Sequence, residues 1–221
     1  MPPYFITPNY SVGLIPKVGC SSIGHAVIKA FQPVERQLLE SGHYPEGKSF
    51  NNVQSQGFAN RERVPSKQTL IFVRNPLERF LSAMSQVYIS DIDAAIDSIN
   101  NGTIITNNGP KERHVCLQKN VHFLPQILWC LPDTKLYKFP DHIEEGALEI
   151  GLEYPLPTIN EASRPKPVPS QQQENEINEY YSEDWALYNS ILYPGIITGA
   201  VSVNHAWPEG NERPWAQGFQ Q

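Results

Sequence analysis

Cysteine is scarce in this chain, with Cys20, Cys116 and Cys130 the only three among 221 residues. An odd number without paired C-x-x-C spacing predicts neither a disulfide framework nor a cysteine-built metal site. Long apolar runs are missing too. No stretch approaches the roughly 18 consecutive apolar residues of a membrane-spanning helix. The opening residues MPPYFITPNYSVGLIPK lack the charged and apolar regions of a secretory signal. Positive charge is in deficit, 17 Lys and Arg against 23 Asp and Glu, for a net charge of −6. Duplex nucleic acid needs a clustered positive field and is therefore disfavoured as a partner. A local basic pocket remains compatible with an acidic chain.

What is present describes a folded protein. Hydrophobic residues make up 40% and charged residues 18% of the chain, a composition able to enclose a core. A single domain is expected over residues 1–200, with 201–221 a turn-rich tail. The pattern SVGLI (11–15), then KVGCSS, then IGHAVIKAF reads as strand, loop and helix. Pro33 opens a second helical run, PVERQLLES, ended at Gly42. QTLIFVR (68–74) is a second buried strand. Asn75-Pro76 then starts a helix through LERFLSAMSQVY, and Asp91 caps another, DIDAAIDSIN, ended at Asn101-Gly102. Residues 103–113 read as a polar loop, and 114–131 as helical on either side of Pro125. TKLYKF (134–139) is a third strand, followed by a helix in PDHIEEGALEIG. Residues 155–173 hold five of the 20 prolines and read as extended. ENEINEYYSEDWALYNSI places Ile177, Tyr181, Trp185, Tyr188 and Ile191 on one helical stripe, read as core. Strands alternating with helices predict an α/β domain with a central, largely parallel sheet flanked by helices.

Residues 42–49, GHYPEGKS, satisfy the phosphate-loop pattern G-x-x-x-x-G-K-[ST]. That motif works when a strand delivers a tight turn whose N–H groups face an anion. Here a helix precedes it, Pro45 removes a donor, and no helical stripe follows. The match reads as a surface loop, and Lys48 as a solvated side chain.

Two other segments carry chemistry. In LIPKVGCSSIGHAV a strand delivers Lys17 to a turn, with Ser21 and Ser22 at a helix start. The N–H groups of residues 18–22, the helix dipole and an ammonium would converge on a dianion. By its residues alone it could equally be an ordinary corner with a solvated lysine. In FVRNPLERFLSA, Arg74 ends a strand and Ser82 lies two turns into the next helix, where both could meet a second phosphate. Capping and packing roles would explain them as well. Arg79 could touch the cofactor or pair with Glu78 or Asp91, and the structural role is the one expected. Cys20 reads as a small filler rather than a reactive thiolate.

Taken together, IPKVGCSSI (15–23) and FVRNPLERFLSA (72–83) resemble the 5′-phosphosulfate loop and 3′-phosphate segment of sulfotransferases. The likeness is nearest to carbohydrate sulfotransferases of the chondroitin and HNK-1 type. VHFLPQ (121–126), YKF (137–139), LPTINEAS (156–163) and YYSEDWALY (180–188) extend it in order. The resemblance implies a P-loop-like three-layer α/β fold. It also implies transfer of a sulfuryl group from 3′-phosphoadenosine 5′-phosphosulfate (PAPS) to a hydroxyl, on a carbohydrate by analogy, without a metal. It assigns Lys17 to the sulfate and bridging oxygen, and Val18, Gly19, Cys20, Ser21 and Ser22 to the 5′-phosphate. Arg74 and Ser82 take the 3′-phosphate. A general base is also required; His122 in HFLPQ ranks first and His43, between the two donor segments, second. Lys166 in the proline-rich stretch could close over the donor. Animal members of the resembled family carry a Golgi anchor, whereas no such apolar run is read here, so the expectation is a bacterial or viral soluble form in the cytoplasm, or a trimmed catalytic domain. A phosphate-loop kinase or NTPase, and an inactive glycan- or protein-binding member of the fold, stand as alternatives.

Overall fold

The computed structural model describes residues 4–31, 64–110, 112–131, 133–158 and 164–194. The GHYPEGKS segment, the helix expected after Pro33, His43, Lys48 and the tail lie outside these. Four strands form the main sheet: β1 (Tyr4–Ile6), β2 (Tyr10–Gly13), β3 (Gln68–Arg74) and β6 (Lys135–Phe139), in the order β1-β2-β3-β6. β1 is antiparallel to β2, whereas β2–β3 and β3–β6 are parallel. The sheet is thus largely parallel, with a short antiparallel edge that the sequence reading missed.

β3 is an apolar run because both its faces are covered: Thr69 to Val73 are all buried. The helices are α1 (Cys20–Phe31), α2 (Pro76–Val87), α3 (Ile92–Asn101), α4 (Ile143–Glu149), α5 (Gln171–Tyr180) and α6 (Ser182–Ser190). α2 starts where Asn75 accepts a hydrogen bond from the Glu78 N–H at 3.1 Å, with Pro76 in its first turn. Asp91 caps α3 through the Ala94 N–H at 3.0 Å, and left-handed Gly102 ends it. Local chemistry dictated these boundaries, and the expected ones agree with them.

Three expectations fail. The supposed loop 103–113 contributes β4 (Ile104–Thr106), which pairs with β5 (His114–Cys116) as an antiparallel hairpin. The stretch expected to be helical around Pro125 holds β5 and two single 3-10 turns, Leu117–Lys119 and Gln126–Trp129. Side chains from elsewhere take up its backbone donors: Ser98 Oγ accepts from the Leu117 N–H at 2.9 Å, and the Asp184 carboxylate from those of Gln126 and Ile127. Finally, the long terminal stripe is two helices, divided at Tyr181. The Tyr181 ring packs near Phe80 and its hydroxyl donates to the Phe123 carbonyl at 2.6 Å. Ile177, Tyr181 and Ile191 are core as expected, but Trp185 and Tyr188 are half-buried and Asp184 is fully buried.

Buried apolar side chains gather in two clusters. One surrounds the sheet, α1 and Trp129; the other fills the space among α2, α3 and α5. α2 carries the second cluster on one side and follows directly from β3, so it ties the sheet to the helical part.

Candidate functional site

Parallel strands deliver their following loops to a common edge of the sheet. β2 leads into the turn at Pro16–Gly19, β3 into α2, and β6 ends at Phe139 beside Arg74. The turn is unusual in its backbone. Lys17 has φ +68° and Gly19 φ +78°. A left-handed lysine is an uncommon conformation held by its surroundings. Gly19 has a second constraint, since a Cβ there would stand 2.6 Å from Phe139 Cε2. α1 opens at the next residue, so Cys20, Ser21 and Ser22 form its first turn and its dipole points at the Lys17 side of the fold. Val18 is core, with its side chain buried. Gly19→Ala combines a strained φ with a clash, and a loss of roughly 2 kcal/mol is expected, read from urea midpoints. Combining it with Phe139→Leu should recover part of that loss.

The Lys17 ammonium is half-buried and donates to Gln86 Oε1 at 3.2 Å. Burial pulls it below its ordinary pKa, Cys20 opposes this, and the charges of Arg74 and Lys166 add to it. Lys17, Arg74 and Lys166 therefore share one electrostatic neighbourhood. Arg74 Nη1 donates to the Lys17 carbonyl at 3.2 Å, while Nη2 pairs with Glu78 at 3.0 Å and the guanidinium lies over the Phe139 ring. The backbone of Arg74 is pinned too. Its N–H donates to Gln126 Oε1 at 2.9 Å and its carbonyl accepts from Gln126 Nε2 at 2.8 Å. Gln126 is in turn held by Asp184, which accepts from its N–H at 2.8 Å and from that of Ile127 at 2.9 Å.

Ser82 is buried on α2, two turns beyond Arg74. Burial pushes the Cys20 thiol upward, with Lys17 opposing, which fits a filler and not a thiolate. Arg79 corrects the expected pairing with Glu78 or Asp91. It is fully buried and its Nε donates to the Pro16 carbonyl at 3.2 Å, its Nη2 to the Leu124 carbonyl at 2.7 Å. The proline-rich stretch lies over the end of α2: Arg164 stacks on Tyr88 at 3.3 Å, and its carbonyl accepts from Ser85 Oγ.

His122 belongs to the same neighbourhood. Its Nδ1 lies 3.0 Å from Asn120 Oδ1. Burial first, then the charges of Lys17 and Arg79, lower its pKa to about 3. The ring is therefore neutral at neutral pH, with a lone pair to accept a proton. The unfolded imidazole protonates near pH 6.5, so below that pH the unfolded chain binds a proton that the native chain refuses. Stability should fall as pH drops from about 6.5 toward 3. His122→Gln should flatten this dependence, as measured by urea unfolding at pH 7.5, 6 and 5.

The sequence matches the model of the sulfotransferase family over residues 2–149. The chain belongs to the sulfotransferase family. Its chemistry is the transfer of a sulfuryl group. The matched span holds Lys17, Arg74, Ser82 and His122 but ends before Lys166 and Asp184. No curated protein and no solved structure matches this sulfotransferase. Among the described residues, no helix is long and apolar enough to cross a membrane, and no group of His, Cys, Asp and Glu could hold a metal ion.

The fold brings Lys17, Cys20, Arg74 and His122 together, and His43 lies outside the described residues. Asp184 and Gln126 escaped the residue-level reading, although both sit in quoted motifs. One signal for Asp184 was available: a carboxylate on an otherwise apolar helical stripe.

Proposed function

We propose that this sulfotransferase moves a sulfuryl group from PAPS to a hydroxyl acceptor by in-line transfer, and that the acceptor is a carbohydrate. The observation that carries the reading is the Arg74–Lys17 contact. A guanidinium at the end of β3 reaches the turn that ends in a helix N-terminus, so two anion-binding features meet at the carboxyl ends of parallel strands. That arrangement suits a donor with phosphates at two positions. A P-loop-like three-layer arrangement accords with the burial of β3 on both faces.

Bound PAPS would supply the activated sulfuryl group. The first turn of α1, residues 20–22 with the Ser21 and Ser22 hydroxyls, and the backbone of Val18 and Gly19 would hold the 5′-phosphate. Lys17 would face the bridging oxygen, where charge builds on the leaving phosphate. Arg74 and Ser82 would take the 3′-phosphate. The Arg74 pair with Glu78 is an i,i+4 contact to a carboxylate about half exposed, so a phosphate could replace that partner while the bond to the Lys17 carbonyl stays in place. His122 would accept the proton of the acceptor hydroxyl. A dianion beside Lys17 and Arg79 would offset their charges and raise the His122 pKa toward a useful range. His43 is the alternative base and Lys166 a second cation over the donor. The carbohydrate acceptor follows from the likeness of the motifs to chondroitin- and HNK-1-type enzymes.

Thermal-shift titration tests the donor. Stabilisation by 3′,5′-ADP without metal is expected, and stabilisation by ATP–Mg²⁺ alone would replace this reading with a kinase or NTPase. A radiolabelled-PAPS screen over glycans and small alcohols tests the acceptor.

A further inference from the structure

Arg79 is a buried charge to which the proposed chemistry gives no contact with donor or acceptor. It is fully buried on α2, between Arg74 and Ser82 in sequence. Its two carbonyl partners belong to two other segments. Pro16 immediately precedes left-handed Lys17, and Leu124 lies two residues after His122. The third nitrogen, Nη1, is buried and has no hydrogen-bond partner among the described residues. Burying an ion with a spare donor is expensive, and a helix-packing position could be filled by an apolar side chain at lower cost. What an apolar residue could not do is hold two chain segments at a fixed separation through a planar fork.

We infer that Arg79 is a positioning residue for sulfuryl transfer, a clamp that sets the Lys17 turn against the His122 segment. In-line transfer needs the group at the leaving oxygen and the base at the acceptor hydroxyl to be in register on opposite sides of one sulfur. A displacement of about 1 Å between them costs on the order of 10²-fold in rate. Arg74 also reaches the Lys17 carbonyl, but it meets the His122 segment only through its backbone, at Gln126. Among the described residues Arg79 is the side chain whose one fork meets a carbonyl of each segment. The clamp's own setting is buried and charged: Asp184 lies in its field, as do Tyr181, Tyr180 and Cys20. The inference rests on the PAPS reading for its rate effects, and on the geometry alone for the clamp.

Arg79→Lys keeps the charge near Asp184 but cannot donate along a fork to both carbonyls. The expected result is a folded protein that binds 3′,5′-ADP within about threefold of wild type. Release of 3′,5′-ADP from PAPS, with the best acceptor of the screen, should fall about 10²-fold in kcat. The loss should be non-additive: in a His122→Ala background, Arg79→Lys should change kcat by less than about threefold. A variant with wild-type kcat, or full additivity with His122→Ala, overturns the inference. A purely structural arginine would predict loss of stability with independent effects on rate.

If Arg79→Lys does not fold, the unaltered protein still decides. Nitrogen-15 spectra of arginine side chains should show the Arg79 Nε–H slow to exchange and shifted on adding 3′,5′-ADP. A fast-exchanging or unresponsive Nε–H counts against the clamp. Wild-type protein that 3′,5′-ADP does not stabilise removes the donor reading instead, before Arg79 is altered.

Discussion

Lys17→Ala is expected to lower kcat on the order of 10²- to 10³-fold, the usual loss when one charge-stabilising donor is removed from a transition state. The fold should survive. The ammonium is half-buried, and among the described residues its hydrogen bond is to Gln86 at 3.2 Å. Removing it unpairs one amide and takes away a positive charge that Arg74 and Lys166 both oppose. Urea midpoints should therefore move little. Affinity for 3′,5′-ADP should weaken far less than turnover, because the charge on the leaving oxygen develops only during transfer. Single-turnover measurements on labelled PAPS separate the two effects. Equal losses in binding and rate would assign Lys17 to ground-state phosphate binding instead.

Asp184→Ala should give the largest loss of stability. The carboxyl is fully buried and accepts from the backbone N–H groups of Gln126 and Ile127 at 2.8 and 2.9 Å. Burial pushes its pKa upward, while the Arg79 charge and these donors oppose the rise. Alanine would strand two buried N–H groups, each costing about 1–3 kcal/mol, for a total of roughly 2–6 kcal/mol. Equilibrium urea unfolding at pH 7 measures it. The damage should also reach the site, since Gln126 holds both backbone groups of Arg74. Weaker 3′,5′-ADP binding in conditions where the variant remains folded is the expected sign. Asp184→Asn should be milder but still destabilising, because its NH₂ would face one of the two N–H donors.

Much of this was legible in one dimension. β3, α2 and α3 were readable because a hydrophobic run, a capping Asn75 or Asp91, and Pro76 or Gly102 act within a few residues of one another. The Lys17 and Arg74 segments were readable for the same reason, each being a short strand end followed by a helix start. Short-range torsional preference and capping chemistry need no distant partner.

Other features had no local cause. The β4–β5 hairpin exists through pairing across a loop, and Leu117–Lys119 forms only a single 3-10 turn, with Ser98, 19 residues earlier, accepting the Leu117 N–H. The break at Tyr181 follows from a hydroxyl that meets the Phe123 carbonyl, 58 positions away. The same holds for the site's framework. Arg79 looked like a partner for Glu78 or Asp91, its neighbours along the chain, yet it binds carbonyls 63 and 45 residues distant. Sequence patterns report the free energy of segments against solvent. Where a buried charge finds its partners is settled by which segments packing brings alongside it, since an ion excluded from water must take whatever donors or acceptors the assembled interior offers.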